Sequence, residues 1–328
     1  MKRLVTAAFS IALSTNLFAQ IAVPFLQIPP DARHSGMGNI GVATSTDASA
    51  NFNNPAKLAF TDRNFGGNFT RFAWLKQLTN DMYATNLSGY YKLKSRQDAI
   101  GVYYRAFDIG AVYLTTPSGQ PNGTYSSLDQ VIGVNYSKKI IKNISLGIGL
   151  KYINSKIRGD NVIGGSANQT GQAMAGDIGL FGIAGRKDNF KLNYGIAFSN
   201  IGNKMNYGLQ KFNLPSNVRF GLSPTLQIRK SKIMLGLEAN KYFYGSPMSF
   251  SAGAEYSYNN YVFARAGYWN GNLPFANYFT LGLGGRIKKQ VGIDLAYRIG
   301  EGMPYNKTVQ LSFVFDFKSF DRDIIKTL

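Results

Sequence analysis

The chain has 328 residues, with 36 Lys and Arg against 17 Asp and Glu, a formal charge of +19, no cysteine and one histidine. The missing cysteines exclude disulfides, thiol catalysis and thiolate metal sites, the lone histidine argues against a three-ligand zinc centre, and a hydrophobic fraction of 45% excludes disorder as the main state. Excess positive charge fits nucleic acid or anionic lipid, whereas 36 glycines and 14% aromatic residues point to membrane β-structure.

Residues 1–19 read as a secretory signal peptide. Lys2 and Arg3 form the positive region, Leu4 to Leu13 a short apolar stretch, and Leu17-Phe18-Ala19 the cleavage site. Cleavage after Ala19 leaves 309 residues and, without Lys2 and Arg3, a charge of +17. Export leaves no place for a cytosolic nucleic-acid partner. No stretch reaches the roughly 18 apolar residues of a membrane helix, so a closed β-barrel is the remaining route across a bilayer.

Residues 20–66 differ from the rest of the chain. Pro24, Pro29, Pro30, Gly36, Gly38 and Gly41 break any long element, and Asp47 to Phe60 reads as a turn, a short helix and a loop. This compact polar segment is expected to be a plug inside a barrel or a cap beneath it. From residue 67 the period is two. Val309, Leu311, Phe313, Phe315 and Phe317 alternate with Gln310, Ser312, Val314 and Asp316, and Ile144, Leu146, Ile148, Leu150 and Tyr152 alternate with Ser145, Gly147, Gly149 and Lys151. One face is apolar and the other small or polar, as in a strand between lipid and a lumen.

The pattern predicts an all-β fold, a fourteen-stranded antiparallel transmembrane barrel over 67–317. Its strands are placed at 67–77, 81–94, 97–115, 127–138, 142–157, 171–185, 189–200, 217–229, 232–242, 247–257, 260–270, 276–287, 290–299 and 307–317. The third is long enough to hide a bulge near Asp108-Ile109-Gly110. Residues 318–328 form a periplasmic tail. Short basic turns such as Lys138 to Asn143, Arg229 to Lys232 and Lys288-Lys289-Gln290 alternate with longer loops such as 159–172, 202–216 and 269–276. The turn cations are expected near outer-membrane lipid head groups. Tyr90-Tyr91, Tyr103-Tyr104, Tyr242-Phe243-Tyr244, Tyr256, Tyr258, Tyr261, Tyr268-Trp269, Tyr278 and Tyr297 are expected as interfacial girdles near strand ends.

Lys151, Asp177, Arg219, Glu238, Glu255, Asp294, Arg298 and Asp316 fall on the inward parity. They are expected to form a lumenal salt-bridge network holding the plug, or else a solute path. Asp31, His34 and Ser35 are too close in sequence to be read as a hydrolase triad. Gly36-Met37-Gly38-Asn39-Ile40-Gly41 is similar to a phosphate loop but lacks the preceding strand and the lysine. No catalytic residue, metal site or cofactor is predicted.

The stretch Phe25 to Thr44, carrying Pro29, Pro30, Asp31, Arg33, Gly36, Met37 and Gly38, resembles the start of the PorV/PorQ family of outer-membrane proteins of the type IX secretion system in Bacteroidetes, PorV most of all. Asn54-Pro55-Ala56 resembles an asparagine-proline-alanine motif of that family and, more loosely, of fatty-acid transporter-like barrels. The blocks Leu192 to Gly202, Leu214 to Gly221 and Arg265 to Tyr268 fit as well. The resemblance implies a plugged barrel of the fatty-acid transporter type and a non-enzymatic role in protein export. Its implied partners are the giant translocon barrel, the C-terminal signal domains of secreted cargo, and an attachment complex whose sortase-like peptidase links cargo to lipopolysaccharide. The alternative is a transporter of hydrophobic small molecules, which needs an apolar lumenal pocket and a kinked, unpaired wall strand. The chain is somewhat short for the family and runs eleven residues past Phe317.

Overall fold

Successive side chains of a strand point to opposite faces, and here that alternation closes into one ring. The computed structural model describes residues 21–76, 81–95, 97–159, 168–187, 189–208, 210–244, 248–271, 277–300 and 307–318. The expected signal peptide and the tail from 319 onward lie outside the described residues. The ring is built from β1 (Phe65–Ala73), β2 (Tyr83–Lys92), β3 (Asp98–Asp108), β4 (Pro121–Ile141), β5 (Ile144–Gly159), β6 (Asn168–Lys187), β7 (Phe190–Gly202), β8 (Asn217–Ile228), β9 (Ser231–Tyr242), β10 (Ser249–Tyr258), β11 (Val262–Gly271), β12 (Tyr278–Ile287), β13 (Val291–Gly300) and β14 (Val309–Phe317). Each strand pairs antiparallel with its sequence neighbours, and β14 closes on β1 from Phe65↔Phe317 to Arg71↔Leu311. Both ends of the barrel chain therefore lie at the short-turn rim, which in outer-membrane barrels is periplasmic.

Two expectations change. The single strand over 97–115 is interrupted: β3 ends at Asp108, Gly110 takes a φ of +64°, and Val112–Thr115 pairs with the far end of β4. Between Asp108↔Leu128 and Val112↔Tyr125 the first chain carries one extra residue, a β-bulge at the expected place. The β3–β4 ladder is otherwise unbroken from Asp98↔Lys138 to Asp108↔Leu128. The aromatic girdle is also thinner than expected. Tyr91, Tyr256, Tyr258 and Tyr261 are exposed near the short-turn rim, but Tyr90, Tyr103, Tyr242 and Tyr278 are buried. Strand parity is the reason: two adjacent tyrosines cannot both face lipid.

The outward face is apolar. Ile132 and Val134 of β4, Leu146, Ile148 and Leu150 of β5, and Leu235, Leu281, Leu283, Ile293 and Phe313 farther round the ring are all exposed. This belt faces the hydrocarbon core of the bilayer.

The lumen is filled by residues 21–64. At the long-loop end, Ala22 N donates to Asn213 O (2.9 Å), in a loop whose Met205 and Leu214 are buried with Ala22, Val23 and Phe25. That loop, within the long insertion expected over 202–216, packs on the start of the plug. The segment continues through a 3-10 turn (Pro24–Gln27), α1 (Ala32–Ser35), α2 (Ala50–Asn53) and a second 3-10 turn (Pro55–Phe60). It leaves at the short-turn rim, where Asn64 N donates to Phe317 O (2.9 Å). Asp31 caps α1 by accepting from His34 N, and the Asn54 side chain accepts from Ala56 N with Pro55 in the first turn.

Inward-facing glycines let this irregular backbone touch the wall. Gly236, Gly253 and Gly267 stand directly opposite one another across β9, β10 and β11, as do Gly195 and Gly221 across β7 and β8, and Gly147 and Gly179 across β5 and β6. A Cβ at Gly267 would collide with the Met37–Gly38 backbone, and one at Gly147 with Pro55–Ala56. Gly267→Leu is therefore expected to overpack the seat by about 1–3 kcal/mol. Limited proteolysis should then cut residues 32–45 faster while heat-modifiable migration of the barrel persists. Gly285→Leu, at a position with open space around its Cβ, should behave as wild type.

Candidate functional site

The plug backbone is buried and mostly irregular, so its polar groups need partners from the wall. Glu238 of β9 accepts from Gly41 N (2.8 Å) and Val42 N (2.9 Å) through one oxygen, and from Arg219 Nε (2.6 Å) through the other. Arg219 also donates to Asn53 Oδ1 (3.1 Å) and Asn39 O (3.0 Å). Ser312 Oγ accepts from Ala32 N (2.8 Å), and Thr280 Oγ1 from Gly38 N (2.9 Å). Asn54 Nδ2 donates to Leu180 O (3.0 Å), and Gln310 Nε2 to Pro29 O (3.3 Å).

A chain of alternating charges runs through the middle. Arg33 of α1 reaches Asp47 and Glu255 (2.9 Å), Arg265 bridges Glu255 (2.8 Å) and Asp294 (2.8 Å), and Arg286 closes on Asp294 (2.6 Å). Glu255 and Arg265 are direct cross-strand neighbours on β10 and β11. Burial works against the Arg33 charge, but Glu255 and Asp47 outweigh it and raise its pKa. Burial likewise opposes the Asp47 carboxylate, and Arg33, His34 and Lys57 overcome it and lower its pKa. Lys151 pairs with Asp177 (2.7 Å) and donates to Asn200 Oδ1 (2.7 Å).

The sequence-predicted charges thus separate into groups. Lys151, Asp177, Arg219, Glu238, Glu255 and Asp294 enter ion pairs. Arg298 lies against the Tyr278 ring (4.6 Å) and the Trp74 ring (5.4 Å), and Asp316 accepts from Tyr90 OH (2.9 Å). Pro29, Pro30, Asp31, Arg33, Gly36, Met37, Gly38, Asn54, Pro55 and Ala56 are all buried. Sequence reasoning missed Arg265 and Arg286, although both share the inward parity of their strands. It also missed Arg105, which donates to Asn86 Oδ1 (2.8 Å) and Ile28 O (2.9 Å), and Lys57. Lys57 Nζ donates to Gly41 O (2.6 Å) and Thr44 Oγ1 (3.0 Å) at zero exposure. Burial brings its pKa down to about 8, with nearby Asp47 and Glu238 opposing the fall.

Asp31 Oδ2 lies 2.6 Å from His34 Nδ1, and Thr44 Oγ1 is 3.5 Å from His34 Nε2. Burial alone would raise the Asp31 pKa; His34 and Ser49 lower it well below the usual range. All three side chains are buried in the plug, where a substrate has no access. Among the described residues no group of three or more His, Asp or Glu is arranged to hold a metal.

A fourteen-stranded ring, a lipid-facing apolar belt and a lumen occupied by the chain's own N-terminal segment define a plugged outer-membrane β-barrel. The chain belongs to the PorV family: the family model described as "Type IX secretion system protein PorV" matches residues 14–249. The protein is an outer-membrane component and not an enzyme. No curated protein matches it. Among solved structures it is similar to the toluene transporter TodX of Pseudomonas putida, with 13% identity, 92% of this chain and 98% of that chain covered and a TM-score of 0.59. The toluene transporter TbuX of Ralstonia pickettii gives 12%, 88%, 98% and 0.59 for the same measures. A FadL homologue from Pseudomonas aeruginosa gives 12%, 88%, 98% and 0.55. At these identities the likeness is one of fold.

Glu255→Gln should leave Arg33 and Arg265 under-compensated and cost roughly 3–5 kcal/mol, read as a lower denaturation midpoint in detergent. Adding Arg33→Met should recover part of the loss. Lys57 gives a pH signature. Its folded pKa of about 8 lies below the ordinary 10.5, so between these values the unfolded chain binds more protons and stability rises with pH. Wild type should therefore gain on Lys57→Met from pH 8 to 10.5, measured by plug protection at each pH.

Proposed function

We propose that this barrel serves type IX protein secretion as a non-enzymatic scaffold, binding the C-terminal signal domains of cargo at the translocon and passing them to the surface attachment complex. The observation that carries this reading is the filled lumen, taken with family membership. Beside Tyr103 and Arg105 the plug leaves a polar gap of about 50 Å³, well under the roughly 150 Å³ of a cavity that admits benzene, and the larger space of about 630 Å³ at the short-turn end is lined mostly by polar and charged side chains. In this reading cargo and translocon contact the barrel's rims and outer surface, and the plug keeps its place in the lumen. The partners in this reading are the translocon barrel, cargo signal domains and the attachment proteins, including the sortase-like peptidase.

A second reading is a transporter of hydrophobic small molecules. The fold shared with toluene transporters favours it, as do the bulge after Asp108 and the register shift between Tyr113 and Thr115 on the same stretch of wall. It requires the plug to move, because the described wall ladder beside it is paired. A mild-detergent pull-down from native membranes separates the two. The secretion reading expects a very large barrel or signal-domain cargo to be retained. Retention of neither, with a hydrocarbon or fatty acid extracted from the purified barrel, would sink it.

A further inference from the structure

The short-turn end of the lumen is open where the plug stops. A cavity of about 630 Å³ lies between the connection 61–64 and the wall, lined by ten basic and five acidic side chains. Arg33, Arg265 and Arg286 are neutralised by Asp47, Glu255 and Asp294 in the central charge chain. Of the other lining cations, Arg63, Lys142, Lys232 and Lys289 stand near Asp62 and Asp316. Arg63 comes from the plug exit, and Lys142, Lys191, Lys232 and Lys289 come from four separate hairpins. Nothing in local sequence requires these hairpins to aim cations at one space. Lys142, Lys232 and Lys289 have no ion pair among the described residues; Lys289 Nζ donates to Asn259 Oδ1 (3.2 Å) and lies over the Tyr261 ring (5.0 Å), so its charge is not neutralised.

Like charges gathered in a cleft with low-dielectric walls repel one another and focus a positive potential on its interior. An anion relieves that repulsion. Lysine ammonium groups act as point charges and do not demand the planar match of a carboxylate, so several of them around one space suit a compact polyvalent oxyanion. The volume is that of a small-molecule site and excludes a folded domain. We propose that this vestibule binds a multiply charged, phosphate-bearing anion presented from the periplasmic side. The inference holds under either reading of function.

The test titrates the full chain in detergent with inorganic pyrophosphate by calorimetry. One-site binding is expected, about tenfold weaker in Lys232→Gln/Lys289→Gln and unchanged in Lys230→Gln/Lys288→Gln, which alters the same two turns outside the cavity. Lys142→Gln, at an exposed turn position, is a second variant with little risk to folding, and heat-modifiable migration confirms an intact barrel in each. Equal weakening in both double variants, or no binding by wild type, overturns the proposal. So does binding of a poly-glutamate peptide in place of pyrophosphate. Nanodiscs identify the source: weaker pyrophosphate binding in phosphatidylglycerol than in phosphatidylcholine discs means a lipid head group competes, and equal binding means a soluble phosphate compound.

Discussion

A ring of fourteen strands encloses more space than its own inward side chains fill, and the contact between inward glycines and a buried irregular backbone is how this chain meets that constraint. Gly147, Gly195, Gly221, Gly253 and Gly267 remove side chains where the plug passes closest. The approach they permit brings Glu238, Thr280 and Ser312 within hydrogen-bonding distance of plug amides. Composition, packing and polar satisfaction are here one arrangement: larger residues on this level would push the plug away and orphan its backbone.

Charge does the second share of the work. An isolated buried ion is costly, and each member of the series Asp47, Arg33, Glu255, Arg265, Asp294, Arg286 is flanked by opposite charge. The series joins the plug to β10, β11, β12 and β13, so it fixes the plug's position around the ring as well as its depth. Rim lysines such as Lys142, Lys230, Lys232 and Lys288 form no part of this series.

Much of the fold was legible because strand parity is a local property. Alternation in Val309 to Phe317 or Ile144 to Tyr152 marks both the strand and its lipid face, and the bulge showed in the excess length before Gly110. Parity also separates buried Tyr90 from exposed Tyr91, which clustering of aromatics alone does not. The site was less legible because its contacts are remote. Arg33 and Glu255 are 222 residues apart, and nothing near either residue announces the other. Arg265 looked like an ordinary strand residue until the register placed it beside Glu255. Lys57 stands in a polar loop sequence, with no periodicity to foretell its burial.

The plug begins at the mouth roofed by Met205 and Leu214 and ends at the opposite rim, beside the seam between β1 and β14. That path constrains the order of assembly. The plug precedes every strand in the chain, yet Ser312 and Gln310 of β14 are among its partners. Its seats on β5 to β12 exist only once those strands are in register. The plug segment therefore finds its full set of neighbours only when the last strand is in place.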